Sequence, residues 1–233
     1  TAKPLAAQQH LADSIETLLK KELPDSTRAV AMAFRGMYYE TIDSAKSKQF
    51  YKEAIDYAIK RKLHYAAGLA IHFELYLDIT KGKYEERIGD IEKAIYYLGL
   101  SDNKKAKLEL SFVLSEKASL FYKKEMYDSA AIWYLKGIEV LEKEKRYDRA
   151  AGLYTNLASV YEILKLKDKQ KQYILKGLEA ARQSGKGYDL FGTYSMMSQY
   201  YFGIDDYKMS LMYSDSSRLY FTDKMGTARI HLY

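Results

Sequence analysis

Four histidines, His10, His64, His72 and His231, are the first candidates for acid–base or metal chemistry in these 233 residues. His64 and His72 are eight residues apart, two turns of one helix, which sets them about 12 Å apart along its axis. That is too far to share one metal ion. No H-E-x-x-H, no H-x3-H and no carboxylate four residues from either histidine completes a site. The sequence has no cysteine, so zinc–thiolate, iron–sulfur, thiol-nucleophile and disulfide chemistry are excluded. Gly185-Lys186-Gly187 is the one dense glycine pair, but it lacks the further glycines and the Lys-Ser/Thr of a phosphate loop. A helix-ending glycine is the expected role there. No G-x-S-x-G elbow and no arguable Ser–His–carboxylate set is present. The expectation is a non-enzymatic chain with no cofactor and no metal.

What remains is surface chemistry. Tyrosine supplies 24 residues, many at packing positions; Tyr122 and Tyr200, together with Phe202, stand beside core aromatics where a repeat would expose them. The net charge of +6 is spread thinly, unlike the concentrated basic stripe of a nucleic-acid footprint, so no nucleic acid is expected. Lys165, Lys167, Lys169 and Lys171 are spaced by two, which scatters charge around a helix axis and reads as a solvated turn. No stretch approaches the ~18 uninterrupted apolar residues of a membrane span. Two prolines leave little material for a Pro-rich linker or for a sandwich with a turn every ~8–12 residues.

The elements that must carry these residues are set by a repeat. Leu114-Ser-Glu-Lys-Ala118-Ser-Leu-Phe121, Tyr154-Thr-Asn-Leu-Ala158-Ser-Val-Tyr161 and Tyr194-Ser-Met-Met-Ser198-Gln-Tyr-Tyr201 lie 40 residues apart and each reads large–x–x–x–small–x–x–aromatic. A second helical segment follows each, opened by Tyr127-Asp-Ser-Ala130, Lys167-Asp-Lys-Gln170 and Tyr207-Lys-Met-Ser210. Small residues recur at Gly137, Gly177 and Ser217, and backwards at Ala94 and Ala54. Within each unit the apolar spacing is i, i+3, i+4, i+7. The small residues Gly36, Ala118, Ala158 and Ser198 let paired helices approach, and Tyr39, Phe121, Tyr161 and Tyr201 fill the angle between them. Helix starts are expected at Asp25-Ser26, Asp43-Ser44, Ser101-Asp102, Asp128-Ser129 and Asp205-Asp206, whose oxygens can accept first-turn amides. Gly82, Gly99, Gly185 and Gly187 punctuate turns. Each unit has an apolar face that it cannot bury alone. Residues 64–80 are helical, in a register the spacing leaves open.

These motifs resemble the tetratricopeptide repeat family, over roughly residues 25–222. Tyr154, Leu157, Ala158 and Tyr161 match the first half of its motif, and Ala130, Tyr134 and Gly137 the second. The closing proline is missing from every unit, the period is 40 rather than 34, and Gln170 and Ser210 replace the second-helix alanine. The resemblance implies an all-α, right-handed α-solenoid of stacked antiparallel helix pairs. The implied organisation is a lead or capping helix in 1–24 (Leu5–Leu23), five pairs (25–62, 63–100, 101–145, 146–185, 186–222), and 223–233 as the start of a connecting helix.

The resemblance also implies that the first helix of each pair lines a concave groove. Carried over by position, the lining is Phe112, Ser115, Glu116, Ser119 and Tyr122; then Gly152, Thr155, Asn156, Ser159 and Glu162; then Gly192, Ser195, Met196, Gln199 and Phe202. None is Lys or Arg, so a clamp for an acidic tail is disfavoured, and so is phosphate contact. Small hydroxyls, one Asn, one Gln and rim aromatics suit a peptide backbone or uncharged ligand, with Asn156 the natural two-point amide partner. The same small residues also fit a tightly curved stack with no ligand. The layout, a lead helix ending Glu-Leu-Pro-Asp and then 40-residue repeats, is similar to the sensor region of bacterial membrane-anchored regulators. It implies a protein or peptide partner, a sensory or scaffolding role, and a periplasmic location, with the cytoplasm as the alternative. A nucleic-acid-binding helical repeat is the competing function, and an active site elsewhere in a longer protein is a third. Starting at Thr1 with no signal-peptide apolar region, the chain is expected to begin inside a longer gene product or after a cleaved leader.

Overall fold

Strong 3.6-residue apolar periodicity, few prolines and short polar connections leave helix hairpins as the way to bury the apolar stripes. The computed structural model describes residues 2–80 and 87–221, with side chains over 9–76 and 87–221. Among the described residues there are eleven helices and no strand. They are α1 (Ala2–Leu19), α2 (Asp25–Tyr39), α3 (Ser44–Lys60), α4 (His64–Thr80), α5 (Ile88–Gly99), α6 (Lys104–Lys123), α7 (Tyr127–Lys143), α8 (Tyr147–Ile163), α9 (Lys167–Ser184), α10 (Gly187–Phe202) and α11 (Tyr207–Arg218). The intervals 25–62, 63–100, 101–145, 146–185 and 186–222 each hold two of them. The segment 223–233 and Gly82 lie outside the described residues. The expected lead helix ends earlier than Leu23, because the Arg28 guanidinium donates to the carbonyls of Leu19 and Lys21 at 3.0 and 2.8 Å and takes up the end of α1.

The chain divides into two compact units, residues 1–113 and 114–233, with the divide inside α6. In the first unit α1 packs on α2, α2 on α3 and α4, α3 on α4, and α4 on α5. In the second, α7 packs on α8, α8 on α9 and α10, α9 on α10, and α10 on α11. Each unit therefore follows one rule: a helix packs on its successor, and α2 and α8 also on the next helix but one. That is the local grammar of a stacked helical array.

Small residues make the close approaches. A Cβ on Gly36 would sit 2.5 Å from Tyr51 Cδ1, and one on Gly68 would sit 2.5 Å from Leu98 Cγ. The contact at Gly68 fixes the register of α4, whose buried residues are Ala66, Ala67, Leu69, Ala70, Ile71, His72 and Leu75. Ala54, Ala94, Ala118 and Ala158 are wholly buried. Ser198 replaces alanine at the next equivalent position, and its hydroxyl donates to the Ser210 carbonyl at 2.9 Å. In the second unit Ala158, Ile174, Met196, Met197 and Tyr200 form one apolar cluster, flanked by Tyr173, Tyr201 and Tyr213, so Tyr200 is buried and not exposed as expected.

The turns differ from the expectation. Among the described residues, glycine ends a helix in the left-handed conformation only at α9 (Gly185, φ 65°). Lys62, Glu125, Lys145, Lys165 and Asp205 hold the same conformation at φ 54–62°. Each is followed by an amide that bonds five residues back: Leu63 to Ala58, Met126 to Phe121, Arg146 to Leu141, Leu166 to Tyr161 and Asp206 to Tyr201, at 2.8–3.0 Å. This is the Schellman helix stop, built without glycine five times. In the second unit the left-handed residues 125, 145, 165, 185 and 205 and the helix starts 127, 147, 167, 187 and 207 each recur every 20 residues.

Helix starts also depart from the expected residues. Asp43 and Asp206 cap as expected, accepting from the amides of Ala45 and Lys46 and from that of Met209. The α6 start falls on Asn103, which accepts from the Lys105 amide at 2.8 Å, not on Ser101-Asp102. Asp128 lies inside the first turn of α7. Asp25 opens α2 but turns to the Tyr57 hydroxyl at 2.5 Å and Arg61 at 3.2 Å; the Tyr57 bond first, and then Arg61, hold its carboxyl below the usual range. The lysine run divides. Lys165 is a turn residue, while Lys167, Lys169 and Lys171 open α9, with Lys169 5.3 Å from the Tyr161 ring.

Candidate functional site

The expected groove residues are carried by α6, α8 and α10, the first helices of the last three pairs. Phe112 is half-buried and falls in the first unit, whereas Ser115, Ser119 and Tyr122 open the second. Asn156 on α8 and Gln199 on α10 are exposed, 43 residues apart in sequence, on helices that pack together. Ser159 of α8 donates to the Met196 sulfur of α10 at 3.8 Å, one of the contacts between these two helices. Met196 itself is buried in the core cluster and is no lining residue; the carry-over by position misplaced it.

The hydroxyls of this row are mostly spoken for by their own helices. Thr155 donates to the Ala151 carbonyl at 2.9 Å, Ser159 to Thr155 at 3.2 Å and Ser195 to Phe191 at 2.9 Å. Ser119 bonds the Ser115 carbonyl at 3.0 Å and the Tyr134 hydroxyl at 2.8 Å. Burial pushes the Tyr134 phenol above its ordinary range, so Ser119 supports the core as well as facing the row. The remaining polar side chains without a hydroxyl or charge in the row are the primary amides of Asn156 and Gln199. Each can donate and accept at once, which matches a peptide backbone. The aromatics stand at the turn end: Tyr122 packs edge-on to Tyr127 at 5.5 Å and Phe202 to Tyr207 at 5.7 Å. Phe202 is 64% exposed.

The charged members of this row are the carboxylates Glu116 and Glu162. Lys117, buried on α6, lies 3.8 Å over the Trp133 ring, and Lys136 lies 4.0 Å from the same ring. The arrangement holds both ammonium groups on an aromatic face. Glu142 accepts from the Tyr154 hydroxyl at 2.5 Å.

The first unit holds what the sequence left unseen. His72 and Glu109, on α4 and α6, meet at 2.5 Å, both largely buried. Their 37-residue separation carries no local spacing signal. Arg35 lies 3.9 Å over Phe50 and 2.5 Å from Glu53, and Tyr51 donates to Glu40. Arg87 joins Glu74 and Asp90 at 3.4 and 3.1 Å. Among the described residues no group of three His, Asp or Glu could hold a metal ion, and no helix is long and apolar enough to cross a membrane.

This geometry has a counterpart among solved structures. The crystal structure of BtubC (BKLC) from P. vanneervenii superposes with a TM-score of 0.69, covering 94% of this chain and 91% of that chain at 16% identity. The fold is helical-repeat-like. At that identity the likeness concerns the fold alone. No family model and no curated protein matches the sequence.

Proposed function

We propose that this chain is a tetratricopeptide-like, non-enzymatic module that binds a protein or peptide through α6, α8 and α10, the first helices of its last three pairs. On this reading it serves as the sensory or scaffolding part of a bacterial signal-transduction or transcription regulator, on the extracytoplasmic side. The observation that carries the reading is the exposed pair of amides, Asn156 and Gln199, on adjacent packed helices. They are flanked by the exposed ring of Phe202. Thr155, Ser159 and Ser195, whose hydroxyls are satisfied within their own helices, keep part of the row small, and its charged members are the carboxylates Glu116 and Glu162 with no Lys or Arg, which admits an extended backbone. Aromatic side chains beside such a row are the usual anchors of peptide binding.

Selection of a random-peptide display library on the purified chain tests the reading. Enriched peptides are expected to lose binding to Asn156→Ala and Gln199→Ala, with the melting temperature moved by no more than about 2 °C, as for exposed substitutions. Binding is expected to depend weakly on salt, because the row carries no Lys or Arg. Failure of any peptide to enrich, or equal loss of binding and stability in both variants, would overturn it. Steep salt dependence with capture of a polynucleotide would replace it with a nucleic-acid function.

A further inference from the structure

The first unit contains a cleft of about 770 Å³ that the peptide-binding reading does not use. Its walls come from the N-terminal turns of three helices, α2, α4 and α6. The floor is apolar, made by Val30 and Phe34 of α2 and by Leu63 and Tyr65 at the start of α4, and Leu100 ahead of α6 adds an apolar lip. Leu100 is 48% exposed at the mouth. The size lies within the range of small-molecule sites, and Ser26, Thr27, Ser101 and Asn103 add polar groups around the apolar residues.

The rim is electropositive. Lys62 and Lys105 line the cleft, and neither makes an ion pair among the described residues. His64 stacks on Tyr97 at 6.3 Å, which sets its ring at the wall. The positive ends of three helices, 15, 17 and 20 residues long, add to the lysines. Asp25, the carboxylate that opens α2, is committed to Tyr57 and Arg61 and does not line the cleft. Asp102 is the one carboxylate that does. Two ammonium groups and three helix ends against one carboxylate select an anion, and the floor selects an apolar body.

We infer that this cleft binds a small organic carboxylate carrying an apolar chain or ring. The carboxylate sits between Lys62, Lys105 and the amides opening α2 and α4, and the apolar body lies on Phe34, Leu63 and Leu100.

Calorimetric titration of the whole chain with octanoate, acetate and octylammonium tests it. Octanoate is expected to bind, acetate at least about tenfold more weakly for lack of the apolar body, and octylammonium not at all. Lys62→Glu with Lys105→Glu is expected to weaken octanoate by about tenfold or more. Leu100→Ser, at an exposed position, is expected to weaken octanoate and leave acetate unchanged. Lys143→Glu with Lys176→Glu, an equal charge change in the second unit, is expected to change nothing. Circular dichroism reports whether each variant keeps its helices, and Leu100→Ser keeps the test open if the double lysine variant does not fold. No octanoate binding at millimolar concentration, equal binding of octanoate and octylammonium, or an equal effect of both lysine pairs would overturn the inference. Loss of peptide capture leaves these outcomes untouched, so the two sites are tested separately.

Discussion

Gln170 is wholly buried, and neither its amide nitrogen nor its oxygen has a hydrogen-bond partner. It stands 40 residues after Ala130 and 40 before Ser210. Alanine there has nothing to satisfy, and Ser210 is engaged by Ser198 at 3.3 Å; only the glutamine brings polar atoms it cannot pair. An unpaired buried polar group costs about 1–3 kcal/mol. Gln170→Met keeps the length and most of the volume while removing both polar ends. It is expected to stabilise the chain by about 2 kcal/mol, allowing for imperfect repacking of the thioether, or roughly 4–8 °C in melting temperature for a chain of this size. Gln170→Ala removes the amide too but leaves a void, so its gain is smaller. Urea unfolding followed by helical circular dichroism measures both, with the slope required to stay constant. If Gln170→Met is neutral or destabilising while Gln170→Ala is worse still, the amide has a partner such as an ordered water, and the reasoning fails.

Lys145→Gly and Glu125→Gly place glycine at left-handed positions. Each is expected to stabilise by about 0.5–1 kcal/mol, the left-handed cost of about 1–2 kcal/mol less the extra freedom of glycine in the unfolded chain; a loss of stability by chemical unfolding would refute this. Gly36→Ala drives a methyl into the Tyr51 ring and is expected to cost about 1–3 kcal/mol. Gly152→Ala meets nothing within 4 Å and is expected to gain up to about 1 kcal/mol. Equal melting temperatures for these two variants would contradict the packing described. Burial, aided by Glu40 at Tyr51 and by Glu142 at Tyr154, raises the phenols of Tyr51 and Tyr154, as burial does at Tyr134. Their folded pKa values exceed the unfolded one, so their stabilisation is full below about pH 10 and is lost as pH rises toward the folded values. Phenolate absorbance is therefore expected to rise in two stages, exposed tyrosines first and the buried ones together with loss of helix. A single smooth titration with helix intact would refute this.

The repeat was legible because it is written in local chemistry. A small residue every 40 positions, an aromatic three residues after it and apolar i, i+3, i+4 spacing are each the cause of a contact, as at Gly36 and Ala158. The turns were not legible, since lysine, glutamate and aspartate carry no advance sign of a left-handed backbone. There the five-back amide bond, accepted by the carbonyl of Ala58, Phe121, Leu141, Tyr161 or Tyr201, overrides the residue's own preference. His72 with Glu109 and Lys117 with Trp133 were equally invisible, because their partners are fixed by packing between helices and not by spacing along one. Of the groove, the amides of Asn156 and Gln199 lie exposed where position placed them. Met196 does not, because a flexible thioether fills the gap between α8 and α10 better than it faces water.

The 20-residue beat of the second unit has a genetic consequence. Joining Arg146 to Gly187 would excise α8 and α9 yet leave Lys145 and Arg146 where Gly185 and Lys186 stood, one residue to reverse the chain and one to start the next helix. A crossover between misaligned copies of such a gene loses or gains whole hairpins and leaves no severed helix at the seam, so this part of the molecule can change length while every surviving turn stays the same.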